Sequence, residues 1–170
     1  MKRRVLILVT GGTFDKEYDE LLGGLAFRRT HLPEMLRLGR CRVPSRVKTL
    51  MLLDSLEMTP RRRRAVLEAC RAAPERRIVV THGTDTMAET ARTLGSSLRG
   101  KTVVLTGAMV PYAFGSSDGL FNLGSALAFA QTLPVGVFVA MNGRCLPWDD
   151  VRKDRRRGRF ERRRDGPGAA

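Results

Sequence analysis

Val5-Leu6-Ile7-Leu8-Val9-Thr10-Gly11-Gly12-Thr13 is the stretch that decides the fold, an apolar run that breaks into a polar, glycine-punctuated turn. The run lacks polar alternation, so a strand here is covered on both faces. Four further stretches rich in branched aliphatics read the same way: Val47-Leu53, Ile78-Thr81, Thr102-Thr106 and Val135-Met141. Helical stretches separate most of them. Thr59-Pro60 reads as a cap followed by proline at the first helical position, leading into Arg61-Ala72. Thr86-Leu94 and Ser117-Gln131 have helical apolar spacing and begin after capping residues, and a short helix is expected near Pro33-Leu38. This alternation predicts an α/β fold: an open, mostly parallel, doubly wound sheet of the flavodoxin or Rossmann type, with helices on both faces. No internal repeat is visible.

The 170 residues suit one domain, long enough to bury roughly two-thirds of its unfolded surface. The aliphatic pattern stops at Asp149, which predicts an α/β domain over 1–153 and a basic tail over 154–170, mobile or a frayed helix. Cys41, Cys70 and Cys145 are odd in number and have no CxxC or HxxxH companion, against a disulfide framework or a zinc site. Lys2, Arg3 and Arg4 precede the first apolar run as in a signal peptide. That run ends at Thr10-Gly11-Gly12 with no cleavage-type site. No stretch approaches the ~20 apolar residues of a membrane helix. A cytoplasmic protein is expected.

The formal charge of +14 raises the question of a nucleic-acid partner. The excess is unevenly placed: Arg61 to Arg64 form one run, and from Arg152 onward nine basic residues face three acidic ones. With two tyrosines, one tryptophan and no nucleic-acid-reading motif, a solvated arginine-rich face and tail is expected instead.

In doubly wound sheets, ligands sit beyond the carboxyl ends of the strands, where connections diverge. Two polar turns fall at such ends: Thr10-Gly11-Gly12-Thr13 after the first strand and Thr81-His82-Gly83-Thr84-Asp85-Thr86 after the third. In the common 2-1-3 strand order these ends are neighbours, so Thr13, Thr84 and Asp85 converge on one small pocket. Taken singly, each turn has a plainer reading. Threonine and glycine after a strand are ordinary turn chemistry, and Thr84-Asp85-Thr86 makes a good helix start without any function.

These segments resemble a known family. Thr10-Gly11-Gly12-Thr13 and Thr81-His82-Gly83-Thr84-Asp85-Thr86-Met87 are similar to the two signature segments of bacterial-type L-asparaginases. Leu105-Thr106-Gly107-Ala108-Met109 and Val139-Ala140-Met141-Asn142 resemble two more. The likeness runs from about Val5 to Lys153 and covers the family's larger N-terminal domain. It implies an amidohydrolase that turns L-asparagine into L-aspartate and ammonia through a threonine acyl-enzyme, with no metal or organic cofactor.

By that resemblance Thr13 is the first nucleophilic threonine, with Gly12 in its substrate-binding turn and Tyr18 assisting from the loop that follows. Thr84, Asp85 and Lys153 match the second threonine and its partners, and Ser55 matches a serine that holds the substrate carboxylate. His82 takes a structural place in its turn. The residue types suit the chemistry, since a threonine hydroxyl is a poor nucleophile until a neighbour accepts its proton. A lysine can serve only when deprotonated; arginine cannot serve at all. Lys153 is one of five lysines among 31 basic residues and stands amid Arg152, Arg155, Arg156 and Arg157, which marks it out. Backbone N–H groups near Thr84 offer an oxyanion hole, worth about 3–4 kcal/mol.

The sequence departs from the family pattern at Leu56, where many members place a glutamine, at Val110, in place of an arginine, and at Arg152, in place of a threonine. Longer members carry a second domain that supplies residues to a neighbouring subunit's pocket. The pocket here is expected to be completed by a partner copy, a dimer being the simplest, to be more open, or to be inactive. Two other readings remain: an amidase acting on a glutaminyl group of a macromolecule, and a non-catalytic amino-acid-binding domain.

Overall fold

The computed structural model describes residues 4–165. Its centre is a six-stranded sheet. Five strands are parallel: β1 (Val5–Gly11), β4 (Ser45–Leu53), β5 (Arg77–Thr81), β6 (Thr102–Thr106) and β7 (Gly136–Met141). They lie in the order β4-β1-β5-β6-β7, the 2-1-3-4-5 arrangement of doubly wound sheets. All five were expected from the sequence, and the open parallel α/β sheet is the architecture found.

The edge strand β8 (Arg144–Pro147) was not expected; it runs antiparallel to β7. A two-residue turn, Asn142-Gly143, joins them with φ of 51° and 79°. Asn-Gly between apolar runs is a strong short-range hairpin signal, and it was legible in the sequence.

Side chains alternate along each strand and feed two cores. Leu6, Leu8, Ile78 and Val80 face α2 (Pro60–Ala72) and α3 (Met87–Ser97), where Val66, Leu67, Ala91 and Leu94 meet them. Val5, Ile7, Val9 and Val79 face α1 (Leu32–Leu38) and α4 (Gly119–Thr132), against Met35, Leu123 and Leu127. β1, β5 and β6 are buried on both faces, which explains their missing polar alternation, whereas the edge strand β4 is at most half-buried. The α2 start is as read: the Thr59 hydroxyl accepts from Arg62 N–H at 3.3 Å, with Pro60 in the first turn.

Two small hairpins lie off the sheet. The first, β2 (Lys16–Asp19) with β3 (Gly24–Phe27), lies between Phe14 and Val43, where the sequence reading expected only the short helix near Pro33-Leu38. The second corrects the expected domain end. In place of a mobile tail or frayed helix from Asp154, β9 (Arg152–Asp154) pairs with β10 (Arg159–Glu161), and a helical turn follows at Arg163–Asp165. Residues 166–170 of the expected tail lie outside the described residues.

The cause is local alternation hidden by a basic composition. Phe160 inserts into the core shared with α2 and α3. Glu161, also buried, pairs with Arg152 and Arg159 across and along the hairpin. The arginines here are therefore partly paired: Arg164 reaches Asp150 at 2.8 Å, and Arg162 reaches the same carboxylate at 3.8 Å.

Candidate active site

The carboxyl ends of β4, β1 and β5 lie side by side, so the turns that leave them form one crevice. Inside it, the Thr10 hydroxyl donates to Thr81 C=O at 2.7 Å and ties β1 to β5. Gly12 N–H donates to Leu53 C=O at 3.0 Å, tying the first turn to β4. Gly12 has a φ of 80°, and a Cβ there would sit 2.3 Å from Gly83 N. A Cβ on Gly83 would in turn lie 2.6 Å from Ser55 Oγ. Gly12 and Gly83 thus touch backbone to backbone, Gly83 packs against the Ser55 side chain, and both glycines are required by that approach. Thr13 and Thr84 each follow one of the touching glycines.

Thr13 is half-buried, and its hydroxyl makes no hydrogen bond among the described residues. The turn behind it is held by Asp15, whose fully buried carboxylate accepts from His31 N–H at 2.8 Å and from the Thr30 hydroxyl at 3.0 Å. Burial raises the Asp15 pKa above the usual aspartate value, against the opposing pull of those donors.

Thr84, Asp85 and Lys153 meet directly. Lys153 Nζ donates to Thr84 Oγ1 at 2.7 Å and to Asp85 Oδ1 at 2.8 Å. The lysine side chain is 11% exposed and the aspartate 39%, so the pair opens to solvent on the carboxylate side. The C-terminal hairpin delivers the lysine. Phe160 stands directly opposite Lys153 in the β9–β10 ladder, and opposed residues share a face. The ring in the core therefore fixes the amine at the strand ends.

His82 is buried and neutral. Its Nδ1 lies 2.7 Å from Gly83 C=O and its Nε2 2.8 Å from Thr90 Oγ1. A carbonyl only accepts, so Nδ1 carries the proton and Nε2 accepts from the threonine. Burial pushes the imidazole pKa down to about 4. The ring shapes its turn, as its structural place in the sequence reading requires.

Ser55 is buried at the mouth of β4, and the Thr86 hydroxyl donates to its carbonyl at 2.7 Å. The Thr86 side chain is thus turned toward Ser55, and α3 starts with no side-chain cap from it. Among the described residues, no hydrogen bond brings Tyr18 to this cluster: it lies on β2, 58% exposed. Among the departures, Leu56 is exposed beside Ser55, Val110 N–H is held by Asp118 at 3.1 Å, and Arg152 pairs with Glu161.

Sequence reasoning missed Lys16 and Asn122. The Lys16 ammonium pairs with Asp54, joining the β2–β3 hairpin to the Ser55 turn. The lysine scarcity that singled out Lys153 also singles out Lys16. Buried Asn122 donates to Gly107 C=O at 2.9 Å and accepts from Asn142 N–H at 2.9 Å, clasping the β6 and β7 ends. An asparagine on an apolar helix face was its signal.

The family model for the N-terminal domain of asparaginases matches residues 4–163. The chain belongs to the asparaginase family. L-asparaginase 1 of Escherichia coli K12 is 34% identical over 145 residues, covering 79% of this chain and 42% of that protein. The solved thermostable L-asparaginase of Thermococcus kodakarensis superposes with a TM-score of 0.82 at 31% identity, over 94% of this chain and 51% of that one. One subunit of the Glutamyl-tRNA(Gln) amidotransferase of Methanococcus vannielii is 32% identical over 152 residues, 83% of this chain and 34% of that protein. The chain spans about half or less of the length of the relatives it matches. No helix of the described residues is long and apolar enough to cross a membrane.

Proposed function

We propose that this asparaginase-family chain hydrolyses the side-chain amide of L-asparagine to L-aspartate and ammonia. The observation that carries the reading is the hydrogen-bonded Thr84–Asp85–Lys153 cluster standing beside the Gly12-Thr13 turn. Thr13 Oγ attacks the amide carbon and forms the acyl ester, and its proton leaves with the amine as ammonia. Water activated at Thr84 and Lys153 then cleaves the ester and restores the hydroxyl. Asp85 orients the ammonium and balances its charge, Gly12 and Ser55 line the substrate's place, and Tyr18 assists Thr13 from the hairpin that follows it. No metal or organic cofactor enters.

Exposed Leu56 contributes no polar contact to a substrate amine, which predicts a high KM more than a low kcat. A homodimer in the cytoplasm completes the reading; three free thiols suit a reducing compartment.

The test is ammonia release from asparagine by the purified chain and by Thr13→Ala. Release that the substitution abolishes supports the assignment, whereas equal silence of both proteins at high substrate overturns it. The amidotransferase relative motivates a second substrate, a glutaminyl group carried on RNA. Turnover only with charged tRNA, lost steeply with salt, would favour it.

A further inference from the structure

α1 is seven residues long, too short to cover the sheet face it shares with α4. A cavity of about 420 Å³ opens between them, floored by Met35, Leu123 and Leu127 and edged by Arg40, Cys41 and Arg42. A second hollow shares Leu36, Arg40, Cys41 and Arg42 with it and adds Arg37. Among the described residues, no acidic one lines either space. Among the described residues, none of these three arginines makes an ion pair.

After α1, Cys41 N–H donates to Leu36 C=O at 2.9 Å and Arg40 N–H to Arg37 C=O at 3.0 Å. This closing turn puts its fifth position in the left-handed region, where glycine is preferred. Yet Arg40 stands there with a φ of 48°, while Gly39 sits one residue early at −71°. The strained backbone presents an arginine at the cavity's edge.

Opposite, Gly124 lies in the middle of α4, and a Cβ on it would meet nothing within 4 Å. Glycine is a poor helix former, and no packing in this chain needs the missing side chain. Its absence keeps the groove open.

We propose that this groove binds an amphiphilic anion, a carboxylate or phosphate head on an unbranched apolar tail. Arg40 and Arg42 hold the head, and the tail lies along Leu123, Leu127 and the open face of Gly124. The volume lies within the range of small-molecule sites, roughly 300–1,000 Å³. The site is separate from the strand-end crevice and does not depend on the amidase reading.

The test uses Cys41 as a reporter in the full chain. Its alkylation by iodoacetamide is followed by mass spectrometry with dodecanoate or dodecyl phosphate below their micelle concentrations. Dodecanol is the neutral control, and Cys145 the internal reference. Saturating anion is expected to slow Cys41 alkylation about tenfold and leave Cys145 unchanged. Protection by one head group alone identifies carboxylate or phosphate as the ligand class. Equal protection by dodecanol, or equal slowing at Cys145, overturns the proposal.

Arg40→Gly is expected to raise the melting temperature, by relieving the left-handed arginine, and to weaken anion binding about tenfold. Gly124→Leu is expected to keep or raise the melting temperature and to abolish binding by filling the groove. Undiminished binding by either variant also overturns it.

Discussion

Lys153 is where residue chemistry is most exposed to test. Arginine keeps the charge beside Asp85 but cannot deprotonate, so Lys153→Arg separates a proton-moving role from an electrostatic one. Loss of about two orders of magnitude in kcat, with KM little changed, is expected from Lys153→Arg in an ammonia assay. Retained turnover would make the lysine a charge and nothing more. His82 gives a second test, on stability. Its folded pKa of about 4 lies below the ordinary value of 6.5, so the unfolded chain takes up the proton first as the medium acidifies. The stabilisation from keeping the ring neutral is complete above pH 6.5 and disappears progressively toward pH 4, by roughly 3 kcal/mol. Asp54 and Glu75, whose pKa values are lowered, act only at more acidic pH, below their ordinary values of 3.8 and 4.5. Asp15, whose pKa is raised, works in the opposite sense, and it is common to the wild type and any His82 variant. His82→Asn should therefore melt lower than the wild type at neutral pH, and the gap should narrow as pH falls from 6.5 to 4.5. A gap that stays constant with pH would show that the ring's protonation is not what the fold resists.

At the scale of elements, the β9–β10 hairpin matters most, because one aromatic anchor and one amine occupy opposed positions. Phe160→Ala removes a ring that is 3% exposed, at a cost of about 3 kcal/mol in chemical denaturation. The same substitution should lower amidase turnover without touching the crevice, since it frees the strand that carries Lys153. An unchanged rate would mean that the Arg152–Glu161 pair positions the lysine instead. The Thr59 cap of α2 serves as the contrasting case. Thr59→Ala should cost about 1 kcal/mol and leave turnover alone, because that helix start does not line the site.

For the molecule as a whole, charge is the dominant long-range term. With 31 basic against 17 acidic residues, net self-repulsion outweighs the exposed ion pairs. Raising sodium chloride from ~10 to ~150 mM shortens the Debye length several-fold and should raise the melting temperature. A fall would show that the paired arginines around Asp150 and Glu161 dominate. The five parallel strands, the four helices and the two strand-end turns were legible in the amino-acid string, because aliphatic runs buried on both faces and helical spacing are local patterns. Thr84 and Asp85 were legible from their strand-end turn, and that Lys153 joins them was legible only by likeness to a family. Nothing in a run of arginines says that Phe160 turns inward, and the contact between residues 84 and 153 spans 69 positions. The sequence by itself determined the layers and the order in which they stack. Only the tertiary structure decided that Gly12 touches Gly83 and that the expected tail folds back onto the strand that carries Lys153. Such contacts depend on which chain ends become neighbours after the sheet has assembled, and no local propensity encodes that.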